Sequence, residues 1–301
     1  MTFEAKTYRV RHSTCYEYEV PVAHAQHYAH LEPRTLPHQR VLKSELNVTP
    51  LGVTRRATDY FQNVVHFVEI LQAHEQFEIA VTSDIELRAN DLELALHQSV
   101  AWNQVADALR GARDLIPIRE YVFDSPLVRA HAMLARYAEP SFPKGRPLVE
   151  AIMDFNQRIY DEFTYEPAAT DVTTPLAQVL RERRGVCQDF AQLAVGCLRS
   201  LGLSARYVSG YLETDPPPGV AKLVGADASH AWASAYVPNF GWLDFDPTNA
   251  VLPDLRHVTV AWGRDFSDVS PLNGVVFGGG RHTLRVAVDV DELAASPAAT
   301  S

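Results

Sequence analysis

Residues 183–201 form the segment that most constrains how this chain can fold. From Phe190 onwards its apolar residues recur every three or four positions, at 190, 193, 194, 197, 198 and 201. This spacing is typical of a helix with one buried face, and Gly185 and Gly202 provide the break before it and the glycine after it. The sequence therefore predicts a core helix with Cys187 in or next to its first turn.

Cys187 is the chemically interesting residue of this helix. Unpaired N–H groups and the positive end of the helix dipole lie in the first turn, where they stabilise a thiolate. The ordinary alternative is a small packed residue, since free cysteines are often buried. A catalytic cysteine also requires a base and a group that orients the base, so the rest of the chain must supply both.

Composition limits the class of protein. The 47% hydrophobic and 21% charged content is typical of a soluble globular chain. The net charge of −10 argues against nucleic acid or an anionic membrane as a partner. Neither a signal peptide nor an apolar run of roughly 20 residues is found. The three cysteines, Cys15, Cys187 and Cys197, include no CxxC pair, so we expect no disulfide framework, no zinc site and a cytoplasmic protein.

The first 95 or so residues read as β-strands. Short runs rich in Val, Ile, Tyr and Phe alternate with turn residues, at Thr7–His12, Cys15–Val20, Gln26–Leu31, Arg40–Val48, Arg55–Tyr60, Val64–Leu71 and Glu75–Leu87. Pro21 is expected to end the second run. Seven such strands favour an N-terminal antiparallel β-sandwich.

The pattern changes after residue 97, where helical stretches come first and strands follow. Ser125-Pro126 has the form of a helix start, and apolar residues from Leu148 to Phe163 occur at helical spacing. Strands return at 204–212, 230–237, 241–246, 258–262 and 283–290. The order predicts an α+β catalytic domain at 111–293 behind a β-sandwich region at 1–110, with a disordered tail at 294–301.

A base and an orienting acid occur in a workable order downstream. His230 opens one predicted strand and Asp246 ends the next. If these strands are antiparallel neighbours, their outer ends meet at one edge of the sheet, which places the two residues side by side. Asp244 lies two residues away on the same strand face and is the main rival for the acid.

Three blocks of the chain also carry a family resemblance. They are residues 185–191 around Cys187, 229–232 around His230 and 242–248 around Asp246. In this order they resemble the transglutaminase-like superfamily, and in particular bacterial members described as candidate cysteine proteases. The resemblance implies a papain-like core, an N-terminal β-rich region, and Cys187 as nucleophile, His230 as base and Asp246 as orienting acid.

The chemistry of these residues predicts a thioester mechanism on a protein or peptide substrate. A Cys187 thiolate attacks an amide carbonyl, and His230 protonates the departing amine. No cofactor or metal is needed. The backbone N–H of Cys187 and the side chains of Tyr165 and Gln188 are candidate oxyanion donors, and Trp242 is a candidate cleft residue.

Three readings compete. Transfer of the acyl group to water describes a cysteine protease or amidase, which we favour. Transfer to an amine describes a protein transglutaminase. A non-catalytic peptide-binding module is the third reading, and it predicts loss of at least one of the three residues, all of which are present. A serine hydrolase is disfavoured because no G-x-S-x-G motif occurs.

Overall fold

The computed structural model describes residues 5–89, 92–97, 99–111, 115–214 and 228–293, and the predicted tail at 294–301 lies outside them. The strands are β1 (Ala5–Ala29), β2 (Gln39–Thr49), β3 (Val53–Thr58), β4 (Val64–Ile70), β5 (His74–Arg88), β6 (Thr164–Tyr165), β7 (Arg184–Gly185), β8 (Ala205–Leu212), β9 (Ala228–Val237), β10 (Gly241–Phe245), β11 (His257–Gly263), β12 (Leu272–Gly278) and β13 (His282–Glu292). The helices are α1 (Leu92–His97), α2 (Trp102–Gly111), α3 (Ile116–Arg119), α4 (Ala132–Ala138), α5 (Leu148–Glu162), α6 (Leu176–Glu182) and α7 (Cys187–Ser200).

The long strand β1 organises the N-terminal sheet. Its first part, residues 5–17, pairs with β5, and residues 8–18 also pair with β13. Its last part, residues 25–29, pairs with β4, and residues 22–29 pair with β12. β2 extends the sheet beyond β5, β3 extends it beyond β4, and every pairing is antiparallel.

The N-terminal sheet curls so that its two parts share one apolar core. Val22 and Ala25 of β1 and Val68 of β4 lie in the same buried cluster as Phe77 and Ile79 of β5. Burying side chains from both parts gives the layered packing that the alternating sequence predicts. The predicted α+β class with an N-terminal antiparallel β layer is confirmed, and this layer is one hydrogen-bonded sheet.

The strand end predicted at Pro21 is wrong. β1 continues through the proline because its register with β5 shifts between Glu17 and Val22, where no ladder N–H is required. Opposite this point Gly278 has a φ of +105°, and a Cβ atom on it would lie 2.7 Å from the carbonyl oxygen of Pro21. Glycine accommodates both the positive φ and the close approach of the Pro21 carbonyl, which allows the sheet to bend here.

The second part of the chain packs helices against a four-stranded antiparallel sheet in the order β10-β9-β8-β11. α7 lies against β9 and β8. Leu193 and Leu198 of α7 belong to the same buried cluster as Ile152 of α5, Val258 of β11 and Tyr8 of β1. One apolar core therefore runs from α7 to the N-terminal sheet.

The helix start predicted at Ser125-Pro126 is wrong. α4 begins later, at Ala132, after His131, whose side chain accepts a hydrogen bond from the backbone N–H of Met133. The hydroxyl of Ser125 donates to the carbonyl of Val128 instead of capping a helix. The Ser125 side chain therefore stabilises a local turn and does not cap a helix at this position.

The last predicted strand belongs to a different sheet from the one expected. Residues 283–290 do form a strand, β13, but it pairs with β1 rather than with the second sheet. β12 joins the same N-terminal sheet. The division of the chain into 1–110 and 111–293 stays a proposal. Because β12 and β13 pair with β1, the N-terminal sheet contains strands from both of these ranges.

Arg199 connects α7 to three neighbouring segments. It is 3% exposed, and burial lowers the pKa of its guanidinium to about 10. The guanidinium donates twice to the carbonyl of Ala205, at 3.1 and 2.9 Å. It also donates to the carbonyls of Arg264 at 2.6 Å and Phe123 at 3.3 Å, and to the hydroxyl of Ser125 at 3.1 Å. These bonds fix the C-terminal end of α7.

We expect Arg199→Ala to lower the free energy of unfolding by roughly 3–5 kcal/mol, because it leaves several buried carbonyls without donors. Urea denaturation followed by circular dichroism measures this loss. Arg136→Ala, at an exposed site in the last turn of α4, is the matched control and should change stability little. Equal stability of the two variants would contradict this role for Arg199.

Candidate active site

The first turn of α7 fixes the backbone that carries Cys187. Asp189 is buried and its Oδ2 accepts hydrogen bonds from the N–H of Val186 at 2.8 Å and the hydroxyl of Thr170 at 2.5 Å. Burial outweighs these donors and raises the pKa of Asp189. A Cβ atom on Gly185 would lie 2.6 Å from the same oxygen, so the glycine leaves room for this arrangement. α7 begins at Cys187, as the sequence predicts.

Strand pairing brings His230 and Asp246 together. β9 and β10 are antiparallel with Phe245 opposite Ala233, so the residue after β10 lies near the start of β9. Nε2 of His230 is 2.7 Å from Oδ2 of Asp246, and both side chains are buried. Asp244 accepts its hydrogen bond from the indole N–H of Trp232 instead, at 3.0 Å.

Asp246 is held by several donors. Its carboxylate accepts hydrogen bonds from Nε2 of His257 at 3.1 Å, Nδ2 of Asn249 at 2.7 Å and the backbone N–H of Thr248 at 2.9 Å, in addition to His230. Burial alone would raise the pKa of Asp246, but the hydrogen bonds and charges of the two histidines lower it well below its usual range. The group is therefore a carboxylate at neutral pH.

His230 links Asp246 to Cys187. Burial by itself would lower the pKa of His230, but hydrogen bonds to Asp246 and to Cys187, together with their charges, raise it to about 10. Because Nε2 faces Asp246, Nδ1 is the nitrogen left for the thiol. His230 is thus hydrogen-bonded to Asp246 on one side and interacts electrostatically with Cys187 on the other.

Tyr165 and Gln188 lie near the thiol. Tyr165 pairs with Gly185 through the parallel bridge of β6 and β7 and remains 53% exposed. Burial and the charge of Cys187 both raise the pKa of Tyr165. Gln188 is the second residue of α7 and is half-buried.

Trp242, the predicted cleft residue, packs against Tyr121 and Arg206. Its ring centroid is 5.1 Å from that of Tyr121, and the guanidinium carbon of Arg206 lies 4.3 Å from its centroid. It also lines a cavity whose wall contains neither Cys187 nor His230.

The sequence analysis missed His257 and Asn249. His257 is 8% exposed and contacts the ring of Trp232, at 5.3 Å between centroids. Its position just before a predicted strand was a weak signal, because it reaches Asp246 from β11, on the far side of the sheet from β10. Ligand atoms of His230, Asp246 and His257 lie within 4.8 Å of one another, so these three also form a candidate metal group.

We expect His257→Ala to lower kcat/KM roughly tenfold and to move the acidic limb of its pH profile upward. Removing one donor from Asp246 raises the pKa of that carboxylate, so activity is lost at a higher pH than in the wild type. His257→Gln, which keeps an N–H donor, should restore part of the activity. His97→Ala, at an exposed site in α1, is the control, and an unchanged acidic limb in His257→Ala would contradict a positioning role.

Comparison with known proteins places the chain in a family. The profile of the transglutaminase-like superfamily matches residues 135–247, and that of the bacterial transglutaminase-like N-terminal region matches residues 8–86. A protein of uncharacterised function from Mycobacterium tuberculosis is 38% identical over 292 residues, which cover 94% of this chain and 92% of the relative. The chain belongs to the transglutaminase-like superfamily.

This transglutaminase-like protein is also similar to two proteins from other bacteria. A protein-glutamine gamma-glutamyltransferase from Pseudomonas aeruginosa is 27% identical over 172 residues, covering 57% of this chain and 21% of that enzyme. The crystal structure of a candidate cysteine protease from Cytophaga hutchinsonii superimposes with a TM-score of 0.75 at 21% identity, covering 97% and 92% of the two chains. The second match shows that the two proteins share a fold.

Among the residues that the structure describes, no helix of this transglutaminase-like protein is long and apolar enough to cross a bilayer. Its cysteines Cys15, Cys187 and Cys197 are free thiols.

Proposed function

We propose that this protein is a cysteine-dependent hydrolase of peptide or amide bonds, with Cys187 as nucleophile, His230 as general base and acid, and Asp246 as the group that orients His230. The observation that supports it is the placement of the buried His230, which is hydrogen-bonded to Asp246 at 2.7 Å and interacts electrostatically with Cys187 at the start of α7. A structural cysteine has no need of a histidine and a buried carboxylate aligned behind it.

The proposed reaction has two steps. Protonated His230 stabilises the thiolate of Cys187, which attacks the amide carbonyl while His230 gives its proton to the leaving amine. Water then attacks the thioester, and His230 takes a proton from that water. Asp246 stays ionised throughout and stabilises the imidazolium, as its lowered pKa allows.

Three groups are candidates to stabilise the oxyanion. The backbone N–H of Cys187 points along the start of α7, where helix N–H groups lack intrahelical acceptors. The hydroxyl of Tyr165 is in electrostatic reach of the sulfur and is half-exposed toward solvent. Gln188 is the third candidate. We propose the first two as the working pair.

Acyl transfer to an amine is the second candidate activity. It is supported by the similarity to the gamma-glutamyltransferase from Pseudomonas aeruginosa. A peptide-library digest run with and without a primary amine, and read by mass spectrometry, distinguishes the two. Hydrolysis predicts free carboxyl products in both reactions, whereas transfer predicts amine-coupled products that increase with amine concentration.

Alkylation tests the catalytic chain directly. We expect iodoacetamide at about pH 6 to label Cys187 selectively, because the raised pKa of His230 keeps a positive imidazolium beside this sulfur. His230→Ala should abolish this selectivity. Peptide mapping by mass spectrometry identifies the labelled residue.

The other two cysteines are internal controls for this labelling. Cys197 is buried, which raises the pKa of its thiol, and Cys15 lies on β1 in the N-terminal sheet. Equal and slow labelling of all three cysteines would overturn the catalytic proposal. A reducing cytoplasm is part of the proposal and is supported by the three free thiols. The proposed partner is a protein or peptide substrate rather than nucleic acid or a membrane.

A further inference from the structure

A cavity of about 510 Å³ lies between residues 36–38 and the second sheet. Its wall includes Arg206 of β8, Trp242 of β10 and Trp262 of β11. The volume is that of a small-molecule site, and most of the wall is apolar. The wall contains none of the three proposed catalytic residues, so the cavity is separate from the site described above.

Arg206 is the unusual member of this wall. It is 6% exposed, and its guanidinium carbon lies 4.3 Å from the ring centroid of Trp242 and 3.7 Å from that of Trp262. Within the described part of the chain no acceptor takes a hydrogen bond from it, and its Nε is buried without a partner. A buried guanidinium with unused donors is costly unless a ligand supplies acceptors.

Acidic groups lie at other positions around the same cavity. Asp244 and Asp254 line it, and their charges and that of Arg206 all act on His38, which also belongs to the wall. Burial is the main cause that lowers the pKa of His38, so its imidazole is neutral at pH 7. Asp254 is exposed. The cavity therefore presents one cation and two carboxylates, and the charge of Asp244 acts on Arg206 as well as on His38.

We propose that this cavity binds a small zwitterion, a free apolar amino acid or a dipeptide, with its carboxylate on Arg206 and its ammonium group on Asp254. A guanidinium edge with free N–H groups matches a carboxylate. The guanidinium groups of Arg206 and Arg34 stack on Trp262, so that ring is not free to hold a cation and the ammonium group goes to a carboxylate. An anion without an amine would be repelled by Asp244 and Asp254.

Isothermal titration of the full-length Cys187→Ala protein tests this proposal, with quenching of tryptophan fluorescence as a second readout. The probes are L-phenylalanine and L-leucyl-L-leucine, and the protein variant prevents turnover of the dipeptide. Phenylalaninamide lacks the carboxylate and N-acetylphenylalanine lacks the ammonium group. We expect one of the two zwitterions to bind. The amide and the N-acetyl form of that same ligand, whether amino acid or dipeptide, should each bind at least about tenfold more weakly.

Variants complete the test. Arg206→Gln should abolish binding, and Asp254→Asn, at an exposed site, should weaken it about tenfold. Asp107→Asn, an exposed substitution on α2, is the control. The proposal is overturned if neither zwitterion binds at millimolar concentration, if acid and amide bind equally, or if Asp254→Asn leaves affinity unchanged. Because binding is measured without the nucleophile, failure here leaves the hydrolase proposal untouched.

Discussion

Replacing Cys187 by alanine is expected to lower kcat/KM for peptide substrates by about 10⁴-fold or more, because no thioester can form without the sulfur. The change removes a half-buried side chain at the start of α7 and leaves the buried face of the helix intact. The fold should therefore persist. Steady-state kinetics on a peptide identified in the library digest measures the loss, and circular dichroism checks the fold.

Cys15→Ala is the matched control for this experiment. Cys15 is also a partly exposed free thiol, but it lies on β1 and its sulfur accepts a hydrogen bond from Gln76 at 3.4 Å. We expect full activity from this variant. Activity retained by Cys187→Ala, or lost equally in both variants, would show that the thiol chemistry proposed here is not that of the enzyme.

The substitution Asp246→Asn is expected to lower kcat/KM by roughly 10³- to 10⁴-fold while leaving the nucleophile in place. The amide cannot stabilise an imidazolium, so the pKa of His230 falls and the thiolate loses its counter-charge. Asp244→Asn is the control for the neighbouring carboxylate, which accepts from Trp232 and not from His230. A larger loss in Asp244→Asn than in Asp246→Asn would reverse the assignment of the orienting acid.

The same variant has a pH-dependent effect on stability. His230 has a raised pKa, so its stabilising contribution is fully present below its unfolded value of 6.5 and is lost as the pH rises toward about 10. Asp246 has a lowered pKa, so its contribution is present above its unfolded value of 3.8 and is lost on further acidification. The difference in unfolding free energy between wild type and Asp246→Asn, roughly 3 kcal/mol, should be largest between pH 3.8 and pH 6.5, the two unfolded values.

Urea denaturation at a series of pH values measures that difference. It should shrink steadily above pH 6.5, where the histidine of the unfolded chain is neutral. A difference that stays constant up to pH 10 would contradict the buried ion pair.

Local sequence patterns predicted the elements that depend on short-range physics. The apolar spacing after Phe190 predicted α7 with Cys187 in or next to its first turn, because a helix buries residues that recur every three or four positions. Alternation predicted β9 and β10, and their connecting turn predicted that His230 and Asp246 would meet. The family resemblance reached the same three residues from their motifs.

Local patterns were weaker where distant segments compete. Pro21 did not end β1 because a register shift across the sheet removed the need for its N–H. The pattern at Ser125 gave way to a turn stabilised by the buried Arg199. β13 pairs with β1 and not with the second sheet as expected. A strand pattern shows which residues alternate but does not show which strand they pair with.

The sequence by itself determined the family, the α+β class and the proposed nucleophile, base and acid, because each is encoded in residues close together in the chain. Only the tertiary structure decided that β11 brings His257 to Asp246 from the far side of the sheet, and that Arg206 lies between two tryptophans beside an open cavity. These contacts join residues far apart in the chain. They arise from packing around a shared core, which no local pattern specifies.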